Sequence, residues 1–110
     1  MLNFTSRTRY YISSTPTDMR KGREGLSGVI REIMQRDPYN YDEAFIFYSK
    51  DYRKVKILHY DINGFVLYEK WFDDGRFLKP EFVNMEKTHQ ISRETLILLL
   101  STSVQTKISI

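Results

Sequence analysis

The chain has 110 residues, 41% of them apolar and 15% aromatic, and no cysteine. That size and composition describe one folded domain, and they exclude a disordered chain, a disulfide-stapled scaffold, a thiolate metal site and a cysteine nucleophile. The net charge of +3 is concentrated early, with seven basic and three acidic side chains in residues 1–36, which suits a polyanionic partner without requiring one. No N-terminal segment joins a basic start to an apolar run, so no signal peptide is expected. The longest apolar run, Leu96 to Leu100, is far too short to span a membrane, and a cytoplasmic protein is expected.

Residues 1–8 read as a short polar arm. Arg9 to Ser13 (RYYIS) reads as a short strand able to join a sheet edge. Ser14-Thr15-Pro16-Thr17-Asp18 stops it, and Thr17 or Asp18 offers an N-cap for a helix. In that helix Leu26, Val29, Ile30, Ile33 and Met34 recur at i, i+3, i+4, i+7 and i+8, an amphipathic stripe ending near Arg36, before Asp37-Pro38. Gly22, Gly25 and Gly28 stand in or before it, each costing a helix about 1 kcal/mol relative to alanine. Three compensations stay open: close packing of the helix on a sheet, an irregular first turn, or an anion site of exposed N–H groups beside Arg20 and Lys21.

Residues Phe45 to Phe72 read as a three-strand antiparallel meander, the densest aromatic part of the chain. Asn63-Gly64 is its hairpin signal, since both residues accept positive φ. Pairing around that turn puts Phe45, Phe47, Leu58, Tyr60, Phe65, Leu67 and Trp71 on one face, the expected core face, with Lys56 opposite or diagonal to Glu69. The second face carries Ile46, Tyr48, Val55, Ile57, His59, Val66, Tyr68, Lys70 and Phe72. It is too apolar to be bare and too polar for an ordinary core.

Beyond the meander, Asp73-Asp74-Gly75 reads as a turn, and Arg76 to Lys79 and Thr88 to Ile91 as short extended segments. Ser92 caps a second helix that is apolar almost all round through Leu96 to Leu100, so it is either buried or meets a partner. Residues 102–110 read as a tail. The expected fold is α+β in a single domain over 1–110: an antiparallel sheet of four to five strands built on the meander, with two helices.

The chemistry is sparse. Asp18, Asp61, Asp73, Asp74 and Glu81 are the carboxylates a metal-dependent nuclease would need, yet several stand in turns that recruit aspartate for backbone reasons. Gly25-Leu26-Ser27-Gly28 lacks a glycine that the nucleophile elbow requires, and His59 and His89 have no partner motif. No catalytic residue, metal or cofactor is expected. Basic residues form two clusters, one of Arg20, Lys21 and Arg23 and one of Lys50, Arg53, Lys54 and Lys56 with Tyr48 and Tyr52 interleaved. Arg20, Lys21, Arg23, Lys50, Arg53 and Lys54 are candidates for DNA phosphates. Tyr48, His59, Tyr68 and Lys70, on the second face, are candidates for a partner surface, as is the leucine-rich helix.

The motif Pro16-x-Asp18-Met19-Arg20-Lys21-Gly22-x-x-Gly25-Leu26 is followed by Phe45-Ile46-Phe47, Lys56-Ile57-Leu58-x-Tyr60-Asp61-x-x-Gly64-Phe65, Leu67-Tyr68-x-Lys70, Gly75-Arg76-Phe77 and Pro80. From about Tyr11 to Leu100 this combination resembles the small TnpB-type accessory proteins, products of the second reading frame in bacterial insertion-sequence family sixty-six. The resemblance implies a non-enzymatic role in DNA transposition beside a separate, larger transposase and other proteins of the same element. It does not extend to the far larger RNA-guided nuclease that shares the TnpB label. Two functions stay open: contact with the DNA backbone inside a nucleoprotein complex, or a protein-interaction module that binds the transposase or a second copy of itself. No membrane partner is expected.

Overall fold

The computed structural model describes residues 4–101 and 107–110. In chain order the elements are β1 (Arg9–Ser13), α1 (Arg23–Glu32), β2 (Glu43–Tyr48), β3 (Lys54–Asp61), β4 (Gly64–Trp71), β5 (Lys79–Glu81), β6 (Thr88–Ile91), α2 (Arg93–Ser101) and β7 (Lys107–Ser109). The fold is α+β, with a five-stranded sheet in the order β4-β3-β2-β1-β6. Within it β1 and β2 run parallel, and the remaining neighbours are antiparallel. The first strand adds to the β2 edge of the meander, as its sequence allowed, and β6 on its other side places it inside the sheet. Its sequence fits that place, because Tyr10, Tyr11 and Ile12 are all buried and point to alternate faces.

The parallel pair needs a crossover, and α1 supplies it. Its stripe of Leu26, Ile30 and Met34 packs on Tyr11, Phe45, Phe47 and Leu58, so the first face of the meander is the one α1 covers. The second face is also a core. Tyr10, Ile12, Ala44, Ile46, Tyr48, Val55, Ile57 and Ile91 are sealed there by Phe77, Leu78, Leu96 and Leu99. Reading Tyr48 and His59 as a partner surface is therefore corrected: each is only 2% exposed. Over Tyr48 the cover comes from the C-terminal third of the chain, whose local pattern is weak, while His59 meets Phe4 and the Tyr41 carbonyl.

The meander has the expected faces, with Lys56 directly opposite Glu69 and Leu58 opposite Leu67. Its tight turn falls one residue earlier than expected. Asp61 pairs with Gly64, and the central residues are Ile62 and Asn63, with φ of 24° and 65°. Moving the turn by one residue shifts the cross-strand register by two, and a two-residue shift leaves every side chain on its original face.

Helix α1 starts later than the capping residues suggested. Its N-cap is Gly22, with no side-chain cap bond, so neither Thr17 nor Asp18 caps it. Ile33 is its C-cap, and Gln35 turns the chain away with φ of 58°. Ser92 caps α2 as expected, its Oγ accepting from the Thr95 N–H at 3.1 Å. Two further expectations change. Residues 107–109 of the expected tail pair in parallel with β5 as a second, two-stranded sheet, while 102–106 lie outside the described residues. In the expected arm, Phe4 packs edge-on to Tyr10 and His59, each at 5.3 Å. Among the described residues, no helix is long and apolar enough to cross a membrane.

Candidate nucleic-acid interface at the carboxyl ends of the parallel strands

The loop from β1 to α1 leaves the sheet at the carboxyl end of β1, and the hairpin from β2 to β3 leaves it at the carboxyl end of β2. Because these strands are parallel, both loops and the N-terminus of α1 meet at one end of the sheet, where open α/β sheets place their binding crevices. This topology joins the two basic clusters that the sequence kept about thirty residues apart.

The first loop is shaped by its own side chains. The Asp18 carboxylate accepts from the Arg20 backbone N–H at 2.9 Å and from its guanidinium at 2.7 Å. The Arg20 side chain, then its backbone N–H, hold the Asp18 carboxyl well below the usual carboxylate range. Thr17 donates its N–H to the Tyr48 carbonyl at 2.9 Å, which ties the loop to the end of β2. Lys56 fixes it from below. Its buried ammonium donates to the Met19 carbonyl at 2.7 Å and the Lys21 carbonyl at 2.9 Å, with Glu69 farther off at 3.9 Å. Sequence reasoning put Lys56 with Glu69; the loop carbonyls are its closer partners, and only the fold reveals them.

The glycines are also resolved. A Cβ at Gly22 or Gly28 would meet nothing within 4 Å, so close packing on the sheet explains neither. Gly25 alone is tight, 3.0 Å from the Lys21 side chain. The uncapped start of α1 at Gly22 agrees with an irregular first turn, and its N–H groups carry the positive end of the helix dipole.

The hairpin at 49–53 is equally well defined. Ser49 Oγ donates to Asp51 at 2.7 Å, and the N–H groups of Arg53 and Lys54 return to Asp51 and Ser49. The Ser49 hydroxyl and the Arg53 N–H hold the Asp51 carboxyl below its ordinary value. Tyr52, at φ of 60°, turns inward and stacks on Tyr48 at 5.9 Å. Tyr48 is therefore not available to stack on a base, and Tyr52 is half-buried with one ring face taken.

Of the candidate phosphate ligands, Arg20, Lys21, Arg23, Lys50 and Arg53 are exposed and Lys54 is half-buried. Arg20 is partnered by Asp18, Arg23 lies 3.4 Å from Glu24 and over the Phe65 ring, and Lys54 lies 3.5 Å from Glu69. Among the described residues no ion pair engages Lys21, Lys50 or Arg53. On the other face Tyr68 packs half-buried against the second core, and Lys70 donates to the Leu100 carbonyl and lies over Phe72.

Two residues escaped the sequence reading. Trp71, placed on the core face, is 66% exposed, because α1 does not reach the end of the edge strand. Glu43 is buried at the amino end of β2, held by Arg36 through two bonds of 2.8 Å and by Arg9 at 3.1 Å. The signal for Trp71 was its position just before Asp73-Asp74-Gly75, where the sheet runs out. Among the described residues no three of His, Asp and Glu gather as a metal-holding group; Asp18 faces Arg20, and Asp61 closes the β3–β4 turn.

Two uncharacterized proteins of Sinorhizobium fredii are similar: y4jC, 31% identical over 72 residues, and y4hO, 30% identical over 80. The matches cover 66% and 73% of this chain, and 61% and 69% of the respective relatives, so the chain spans less than two thirds of the first relative's length. No solved structure matches. Residues 8–108 match the family described as IS66 Orf2 like protein, a span containing the Asp18-to-Leu26 motif and every strand of the main sheet, and the chain therefore belongs to that family.

Proposed function

We propose that this accessory protein works without catalysis, by contacting the DNA backbone inside the transposition complex of its element. The carrying observation is the convergence at one sheet end of Lys21, Lys50 and Arg53, none in an ion pair among the described residues, with the uncapped start of α1. Phosphates are recognised by such groups: ammonium and guanidinium donors supply charge, and helix N–H groups supply oriented donors. The Asp18 and Lys56 contacts hold the loop backbone in place, so little ordering entropy is lost when it meets a strand.

The test is a salt titration of binding to the element's terminal DNA. The affinity should fall linearly on logarithmic axes, with a slope of about −3 for three phosphate contacts. A flat salt dependence, or no binding at low salt, would overturn the reading. Failure there combined with co-purification with the transposase would favour the interaction module. One observation supports that second reading: Ile97 and Leu98 on the outer side of α2 are 51% and 45% exposed.

A further inference from the structure

Trp71 is the chain's single tryptophan and the last residue of β4, an edge strand. A tryptophan normally hides most of its large ring surface. Here the indole is held in place without being covered. Its Nε1 donates to Glu69 at 3.1 Å, and the Lys54 ammonium sits 4.7 Å from the ring centroid. Glu69 is itself held by Lys54 at 3.5 Å and Lys56 at 3.9 Å, and Lys56 fixes the first loop. The ring thus borders a recess of about 300 Å³ shared with Met19, Arg53, Lys54, Asp51 and Phe72.

The chemistry of the recess differs from that of its surroundings. Its lining sets Trp71, Met19 and Phe72 beside the polar Ser49, Asp51, Arg53 and Lys54. The Asp51 carboxylate within it disfavours a phosphate, while Arg53 and Lys54 beside it favour one nearby. A volume at the lower end of the range for ligand sites suits one flat ring system better than a duplex. In a duplex the faces of the bases are already stacked on one another, and only edges and phosphates are open to a protein.

We propose that this recess seats an unpaired nucleobase stacked on Trp71, with Arg53, Lys54 and Lys21 taking the flanking phosphates, so that the preferred substrate is single-stranded or frayed-end DNA. This rests on the DNA reading above and deepens it. Stacking of this kind tolerates any base, so no sequence preference accompanies it.

Trp71 also reports on itself. The full chain is titrated at low salt with an oligothymidylate and, separately, with a blunt duplex of equal length, following tryptophan fluorescence and, by anisotropy of labelled DNA, affinity. The single strand should quench the fluorescence strongly and the duplex weakly. Trp71→Ala should weaken single-strand binding about ten- to hundredfold and leave duplex binding within about twofold, with Trp71→Phe intermediate. Equal losses on both DNAs, or none on the single strand, would overturn the proposal while leaving backbone contact intact. Absence of binding to either DNA would remove the DNA reading itself. Because the ring is exposed, the alanine variant is expected to fold, which circular dichroism checks.

Discussion

The two ends of the β1–β2 pair use the same residue types for opposite purposes. At the amino ends, Arg9 and Arg36 converge on the buried Glu43, and Arg36 also lies 3.9 Å from the centroid of the Tyr11 ring. Those cations share one buried carboxylate, which draws them in against the sheet. At the carboxyl ends, Lys21, Lys50 and Arg53 stand exposed, with no ion pair among the described residues, and the positive start of α1 adds to them. A count of charges along the sequence treats both groups alike. What separates them is one buried carboxylate, so the basic character of the first third of the chain is usable at one end only.

The largest effect that would sharpen this contrast is at Glu43. Glu43→Ala leaves two arginines facing a buried site, and unfolding stability should fall by about 3–5 kcal/mol, as for a broken buried pair, though exposure of Arg9 favours the lower figure. Urea denaturation measures it. DNA affinity of the folded fraction should be unchanged, and a parallel loss of affinity would merge the two ends into one functional unit. Lys56→Met comes next. It removes two charge-assisted bonds and should cost about 2 kcal/mol. Unlike the Glu43 change, it should also weaken DNA binding, because the first loop loses its anchor. Unaltered affinity in a folded Lys56→Met variant would show that loop shape is irrelevant to binding.

Much of this was legible beforehand and some was not, for identifiable reasons. Face sharing in the meander could be read because side chains alternate strictly, and even a misplaced turn at Asn63-Gly64 left the faces intact. The α1 stripe could be read from its period. The environment of Glu43 could not, because Arg9, Arg36 and Asn40 meet it only after the crossover is built. Nor could the cover over Tyr48. Phe77, Leu78 and Leu99 come from segments whose own patterns do not announce a target. The basic clusters could be named as residue types, but their meeting required β1 and β2 to be parallel.

Smaller effects test the carboxyl end alone. Lys21→Ala and Arg53→Ala should each reduce the steepness of the logarithmic salt dependence by about 1 while changing stability by less than about 0.5 kcal/mol. An unchanged slope in both would remove them from the interface. The smallest expected effect is in the pH profile. Burial raises the Glu43 pKa, but hydrogen bonds from Arg36 and Arg9 outweigh that and hold it below its ordinary value. Its contribution is therefore fully present above the unfolded-state value, near 4.3, and is lost as pH falls through the lower folded-state value. Glu43→Gln should flatten the decline in stability below about pH 4, measured by thermal melts; an identical slope would mean that other carboxylates dominate.

The place of β1 between β2 and β6 also sets an order of assembly. The strands β2, β3 and β4 are neighbours in sequence joined by short turns, and they can pair as soon as the chain collapses. β1 can join β2 across the α1 crossover, but its second edge must await the return of a segment from the far side of the chain, since Tyr11 pairs with Gln90. Closing so long a loop is the slow kind of event in folding. During synthesis the meander can thus form while the segment that completes β1's second edge is still to be made, and until then β1 offers that edge to any other strand nearby.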